Sequence, residues 1–167
     1  MKLYAFLLTM ILFLSLFPHL SYAIKISDYV VVFDVKQNGD VYEHIHIVLK
    51  EKLNRTTMSY IALGKVSDLN ILVNNSTVDY ILEKAGDEYN VKFDVPEKAE
   101  NIDIKFVAED LVFAKGDVYS FFTNLNPPEA DNVDIVVYLP EGFAIYRDAV
   151  GNRKYERFKY CCNECST

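Results

Sequence analysis

The stretch Tyr29-Val30-Val31-Val32-Phe33-Asp34-Val35-Lys36-Gln37-Asn38-Gly39-Asp40-Val41-Tyr42-Glu43-His44-Ile45-His46-Ile47-Val48-Leu49 decides the fold. Two runs rich in β-branched and aromatic residues flank Lys36 to Asp40, a short-range hairpin signal. Side-chain faces set the register, because a slip of one residue turns a strand over. A two-residue Asn38-Gly39 turn would pair Gln37 with Asp40, set Phe33 against His44 and mix polar with apolar groups on both faces. A three-residue loop with Gly39 in the left-handed bulge position pairs Lys36 with Asp40 instead. Tyr29, Val31, Phe33 and Val35 then share a face with Val41, Ile45, Ile47 and Leu49. Asp34, Lys36, Asp40, Tyr42, His44 and His46 share the other. The second register is the expected one, and Glu43, opposite Phe33 on the apolar face, is its single misfit.

Working outward, short runs bounded by turn chemistry continue along the chain. They are Val66 to Val73, Thr77 to Glu83, Tyr89 to Val95, Ile102 to Phe106, Val118 to Thr123 and Val133 to Leu139. Asn124 to Asn132, with Pro127-Pro128, reads as a loop. No segment after residue 23 carries a helical period over three turns. The expectation is an all-β domain over residues 24–146, an antiparallel two-sheet sandwich of immunoglobulin-like type with seven to nine strands.

The first 23 residues stand apart. Met1-Lys2 precedes an apolar run from Leu3 to Phe17, and Ser21-Tyr22-Ala23 puts small residues at a cleavage position. This is signal-peptide grammar. The alternative is an uncleaved N-terminal anchor helix, since the stretch nears the ~20 residues that span a bilayer. Both readings place the remainder outside the cytoplasm, either secreted or held at the cell surface by residues 1–23.

The chain has 167 residues, 24 Asp+Glu against 17 Lys+Arg, 12 Tyr and 11 Phe. That length fits one domain, and the aromatic and β-branched content excludes a disordered chain. Only 6 Gly and 5 Pro exclude collagen-like and low-complexity classes, and 3 Cys are too few for a disulfide scaffold. Residues 24–146 hold 11 basic and 21 acidic residues, a net of −10, which argues against nucleic acid as a partner. By contrast, Arg147 to Lys159 holds five basic and two acidic residues. Residues 147–167 therefore form a basic, Cys-ending tail. A last hairpin is expected there, Ala144–Val150 with Arg153–Tyr160. Arg153, Arg157 and Lys159 would line either a solvated strand or a contact with lipid head groups.

Two segments carry a resemblance. Tyr29 to Leu49, with Asn38-Gly39-Asp40-Val41 and Glu43, resembles the first hairpin of exported β-sandwich domains found in prokaryotic, especially archaeal, predicted membrane proteins of unknown function. Val133-Asp134-Ile135-Val136-Val137-Tyr138-Leu139-Pro140-Glu141-Gly142 is similar to their closing strand and Leu-Pro-x-Gly corner. The likeness implies the fold and the compartment and supplies no catalytic residue. In many such proteins a membrane-spanning helix follows the domain, sometimes with a cytoplasmic winged-helix module beyond it; neither is in this sequence, so a receptor or regulator role is not the expected one.

Chemistry-bearing candidates are few. His44 and His46 lie two apart on one strand and so point to one face, where imidazoles suit a metal; Asp34 is expected close by on the neighbouring strand. Zinc wants three or four such ligands; the competing reading is a polar strand face. Cys161, Cys162 and Cys165 admit a disulfide, a thiol paired between chains, a metal or no role. Asn54, Asn74 and Asn75 begin glycosylation acceptor patterns. The acidic clusters Asp87-Glu88, Glu109-Asp110 and Glu129 to Asp134 read as solvated turns, and Tyr119, Phe121 and Phe122 as core aromatics. No nucleophile elbow, phosphate loop or His-Glu-x-x-His is present, so no cofactor and no enzymatic activity are expected. Two function classes follow. The first is a non-catalytic surface interaction module that meets another envelope or surface protein. The second is a metal-handling or thiol-redox protein using His44 and His46 or the Cys162-x-x-Cys165 tail.

Overall fold

The three-residue turn forms as its chemistry requires. Gly39 takes φ of 94°, Lys36 N–H donates to Asp40 O at 2.8 Å, and Gly39 N–H donates to Lys36 O at 3.0 Å. It joins β1 (Ile26–Val35) to β2 (Val41–Leu49) with Val35 on Val41, Phe33 on Glu43, Val31 on Ile45 and Tyr29 on Ile47. The expected register holds from the turn to the Tyr29–Ile47 pair, with a bulge between Ile26 and Asp28 beyond it, and the face of alternate residues beginning at Tyr29 and Val41 is buried along both strands.

The computed structural model describes residues 24–115, 118–121, 129–140 and 157–161. The other strands are β3 (Thr56–Leu63), β4 (Lys65–Val73), β5 (Ser76–Thr77), β6 (Tyr80–Ala85), β7 (Glu88–Val95), β8 (Asn101–Glu109), β9 (Val112–Lys115), β10 (Val118–Phe121), β11 (Ala130–Tyr138) and β12 (Arg157–Cys161). They form a large sheet in the order β12-β11-β1-β2-β8-β4-β5, a small sheet β3-β7-β6, and the ribbon β10-β9. The described region is all-β, with two sheets dominated by antiparallel pairs. Residues 1–23, and with them the signal or anchor helix, lie outside the described residues.

Two expectations need correction. Pairing is not antiparallel throughout, because β11 runs parallel to β1 and β12 parallel to β11. Parallel partners cannot be joined by a hairpin, so they are invisible to local turn signals. Val133 to Leu139 is nearly all apolar, yet Ile135 and Val137 are buried while Asp134 and Val136 are half-buried and Tyr138 is exposed, so β11 alternates like an antiparallel strand and its composition does not betray the parallel pairing. The described residues also hold twelve strands rather than seven to nine. β3 falls where no strand was expected, although Met58, Tyr60 and Ala62 alternate there with Thr57, Ser59 and Ile61.

The two sheets close on one apolar core. Val31, Phe33, Val41, Ile45, Ile102, Ile104 and Phe106 come from the large sheet, and Val91, Phe93 and Val95 from the small one, all of them buried. Burying each such side chain is worth about 1.5–3 kcal/mol, so a slip of β2 that exposed Val41, Ile45 and Ile47 would forfeit several kcal/mol. That is why the face argument selects one register. Glu43 sits within this core at 2% exposure, and the Tyr60 hydroxyl of β3 donates to its Oε1. The misfit of the hairpin thus becomes a polar tie between the sheets.

A candidate metal centre on the outer sheet face

The alternation that buries Glu43, Ile45 and Ile47 turns His44 and His46 to the opposite face of the large sheet. β2 pairs there with β8, with His46 opposite Asp103 and His44 opposite Lys105. Directly opposed Cβ atoms lie about 5 Å apart, and diagonal neighbours remain within reach of long side chains. Asp103 meets both histidines in this way, across to His46 and diagonally to His44.

The contacts converge on one atom. Oδ1 of Asp103 lies 2.8 Å from His44 Nε2 and 2.9 Å from His46 Nδ1. An ionised carboxylate only accepts, so both ring nitrogens donate, which fixes the tautomer or charge of each ring. The rings stand edge to face with centroids 6.5 Å apart. Asp103 is 9% exposed and the two histidines are half-buried. Val30 and Val32 on β1 and Leu72 on β4 occupy the flanking register positions. Burial pushes the Asp103 carboxyl up, but hydrogen bonds from His44 and His46, with their charge when protonated, outweigh it. The group titrates below its ordinary range.

Two imidazole nitrogens and one carboxylate oxygen, all within 4.8 Å of one another, are a set that can hold a metal ion. Nitrogen and oxygen donors in this combination suit zinc, copper, nickel or iron(II). Ligand atoms about 2 Å from a tetrahedral zinc stand roughly 3.3 Å apart. Holding the ion would require the two short contacts to open by about half an ångström, the two ring nitrogens to settle at the same spacing, and both to give up the protons they donate to Asp103. Three protein ligands would leave a further position for water or another ligand.

The sequence named two of these three residues. Asp34, the expected third, pairs with Tyr42 across the hairpin and forms its ion pair with Lys36. Asp103 was missed because its partner strand lies more than fifty residues away; the only available signal was the polar position it occupies between Ile102 and Ile104. Cys161 ends β12 at the register position of Tyr138, but its side chain, Cys162 and Cys165 lie outside the described residues. Asn54, Asn74 and Asn75 are exposed. Among the acidic clusters, Glu109 pairs with Lys65 and Asp131 with Lys50. Ser120 is described and half-buried, but the Tyr119, Phe121 and Phe122 side chains lie outside the described residues.

No protein-family profile matches the chain, and no curated protein matches it. Among solved structures it is similar to one described as native yeast LTA4 hydrolase. The two are 14% identical, with a TM-score of 0.38 over 53% of this chain and 15% of that one. A likeness at that level carries no inference about activity. No helix among the described residues is long and apolar enough to cross a membrane.

Proposed function

We propose that this chain is an exported sandwich module of immunoglobulin-like type that holds one divalent transition-metal ion, with zinc the natural probe, on His44, His46 and Asp103. Residues 1–23 serve its export, as a cleaved signal or as an anchor. One observation carries the reading: Asp103 joins the two histidines with all ligand atoms within 4.8 Å, which turns a two-residue pattern into a three-ligand set. The site acts without a catalytic partner, and the ion locks β2 to β8.

The test is zinc content after equilibrium dialysis of the full chain with Cys161, Cys162 and Cys165 changed to Ser. About one zinc per chain is expected. Asp103→Ala, or His44→Ala with His46→Ala, is expected to lower it below about a tenth. A cysteine-free chain that holds no zinc, or that keeps it in the histidine and Asp103 variants, overturns the reading, and zinc that then appears only in the parent places the metal on the tail.

A second reading, the non-catalytic interaction module, is favoured by β6. It pairs only with β7 among the described residues, and Tyr80, Ile81 and Leu82 are 42%, 61% and 38% exposed. An apolar free edge is a template for another strand. A second copy fits antiparallel with Leu82 on itself, Tyr80 against Lys84 and Ile81 against Glu83. Registers centred on Ile81 or Glu83 bring Asp79 onto Glu83 or Glu83 onto itself. Light scattering is expected to show a concentration-dependent dimer that Ile81→Lys with Leu82→Lys abolishes. A parent chain that stays monomeric at every concentration sinks this reading.

A further inference from the structure

Two overlapping acceptor patterns, Asn74-Asn75-Ser76 and Asn75-Ser76-Thr77, fall on one tight hairpin. Val73 pairs with Ser76, and Asn74 and Asn75 take φ of 51° and 63°. Both central residues are left-handed, as a two-residue turn of the primed kind requires and as Asn tolerates.

The two carboxamides have different surroundings. Asn74 Oδ1 accepts from Glu100 N–H at 2.8 Å and from Asn101 N–H at 3.2 Å, and its Nδ2 donates to Lys98 O at 3.2 Å. Its backbone N–H also donates to Asn101 O at 3.0 Å. Asn74 thus clasps the connection between β7 and β8. Asn75 stands exposed at the tip, and its carboxamide makes no hydrogen bond among the described residues. Two residues on, Thr77 is exposed on β5, the terminal strand of the large sheet. The third pattern, at Asn54, has its hydroxyl on Thr56, which is half-buried in β3 and paired with Val95.

From this we infer that Asn75 is the acceptor of an N-linked glycan on the exported chain, while Asn74 and Asn54 are not. In the transfer, the Asn75 amide nitrogen bonds to C1 of the first sugar of a lipid-linked oligosaccharide. The bond from C1 to the lipid phosphate oxygen breaks, its electron pair leaves with the phosphate, and the amide proton is lost. The inference rests on the export reading and is independent of the metal.

Two exposed substitutions separate the overlapping patterns. Ser76→Ala destroys the pattern of Asn74 and keeps that of Asn75, whereas Thr77→Ala does the reverse. The full chain is expressed in a cell that N-glycosylates exported proteins, and the intact mass is read before and after enzymatic glycan removal. The parent, Ser76→Ala and Thr56→Ala chains are expected to carry one glycan, and Thr77→Ala none. A glycan lost with Ser76→Ala or Thr56→Ala overturns the assignment, as does an exported parent without sugar. A parent retained inside the cell overturns the export reading and this inference with it.

Discussion

At pH 9, Glu43→Gln is expected to be more stable than the parent chain, and near pH 4 the advantage is expected to disappear. Burial, only partly offset by the hydrogen bond from Tyr60, lifts the Glu43 carboxyl from its ordinary 4.5 to about 7. Among the described residues its neighbours supply no cation: Phe33 opposes it on β1, Phe106 on β8, and Tyr60 donates from β3. A pKa raised on folding means the folded chain binds the proton more tightly. The stability this contributes is full below the unfolded value and is lost as pH rises through the folded one. The window therefore runs from about pH 4.5 to about pH 7, and the shift corresponds to about 3 kcal/mol. Gln keeps an acceptor for the Tyr60 hydroxyl and cannot ionise.

Denaturant midpoints of the two chains, measured from pH 4 to pH 9, isolate this group, because every other titration is common to both. A difference that does not vary with pH would refute the buried, titrating carboxyl. Tyr60→Phe has the opposite sign. It leaves Glu43 buried without a donor, which costs about 1–3 kcal/mol, and the cost grows as the carboxyl ionises. Burial, then the adjacent Glu43, holds the Tyr60 phenol above its ordinary range, so it remains a donor across the whole window.

Glu43 also marks how far local reasoning reaches. The β1–β2 register follows from side-chain alternation and one glycine, both encoded within 21 residues, and the buried position of Glu43 follows with it. Its partner does not, because Tyr60 lies on a strand of the other sheet and sheet-on-sheet packing has no short-range signature. Asp103 is hidden for a related reason. Its strand shows the right alternation, but that β8 lies beside β2 is a non-local choice. Asp34, by contrast, stands where the expected hairpin puts it, opposite Tyr42 and diagonal to His44, but its carboxylate pairs with Lys36 rather than with the histidines. Faces were legible, whereas neighbours more than one hairpin away were not.

Two glycines make the last prediction, and the difference between them is its content. Gly39 and Gly64 both hold positive φ, 94° and 73°, so alanine at either pays a conformational cost of about 1 kcal/mol. Their surroundings diverge. At Gly39 a methyl group would meet nothing nearer than 3.8 Å, at Val112 Cβ. At Gly64 it would lie 2.6 Å from the Glu109 carbonyl oxygen and 3.0 Å from Leu111 Cδ2. The carbonyl cannot simply retreat, because Lys65 pairs with Glu109 at the start of the β4–β8 ladder, and buried Leu111 lies behind it. Gly64→Ala is therefore expected to cost at least about 3 kcal/mol, adding overpacking to the backbone term, and Gly39→Ala about 1 kcal/mol. The strained ladder is the one that carries Asp103, so Gly64→Ala is also expected to weaken zinc binding while Gly39→Ala leaves it unchanged. Equal losses of stability in the two variants would show that β3, β4 and β8 do not meet at Gly64 as closely as described.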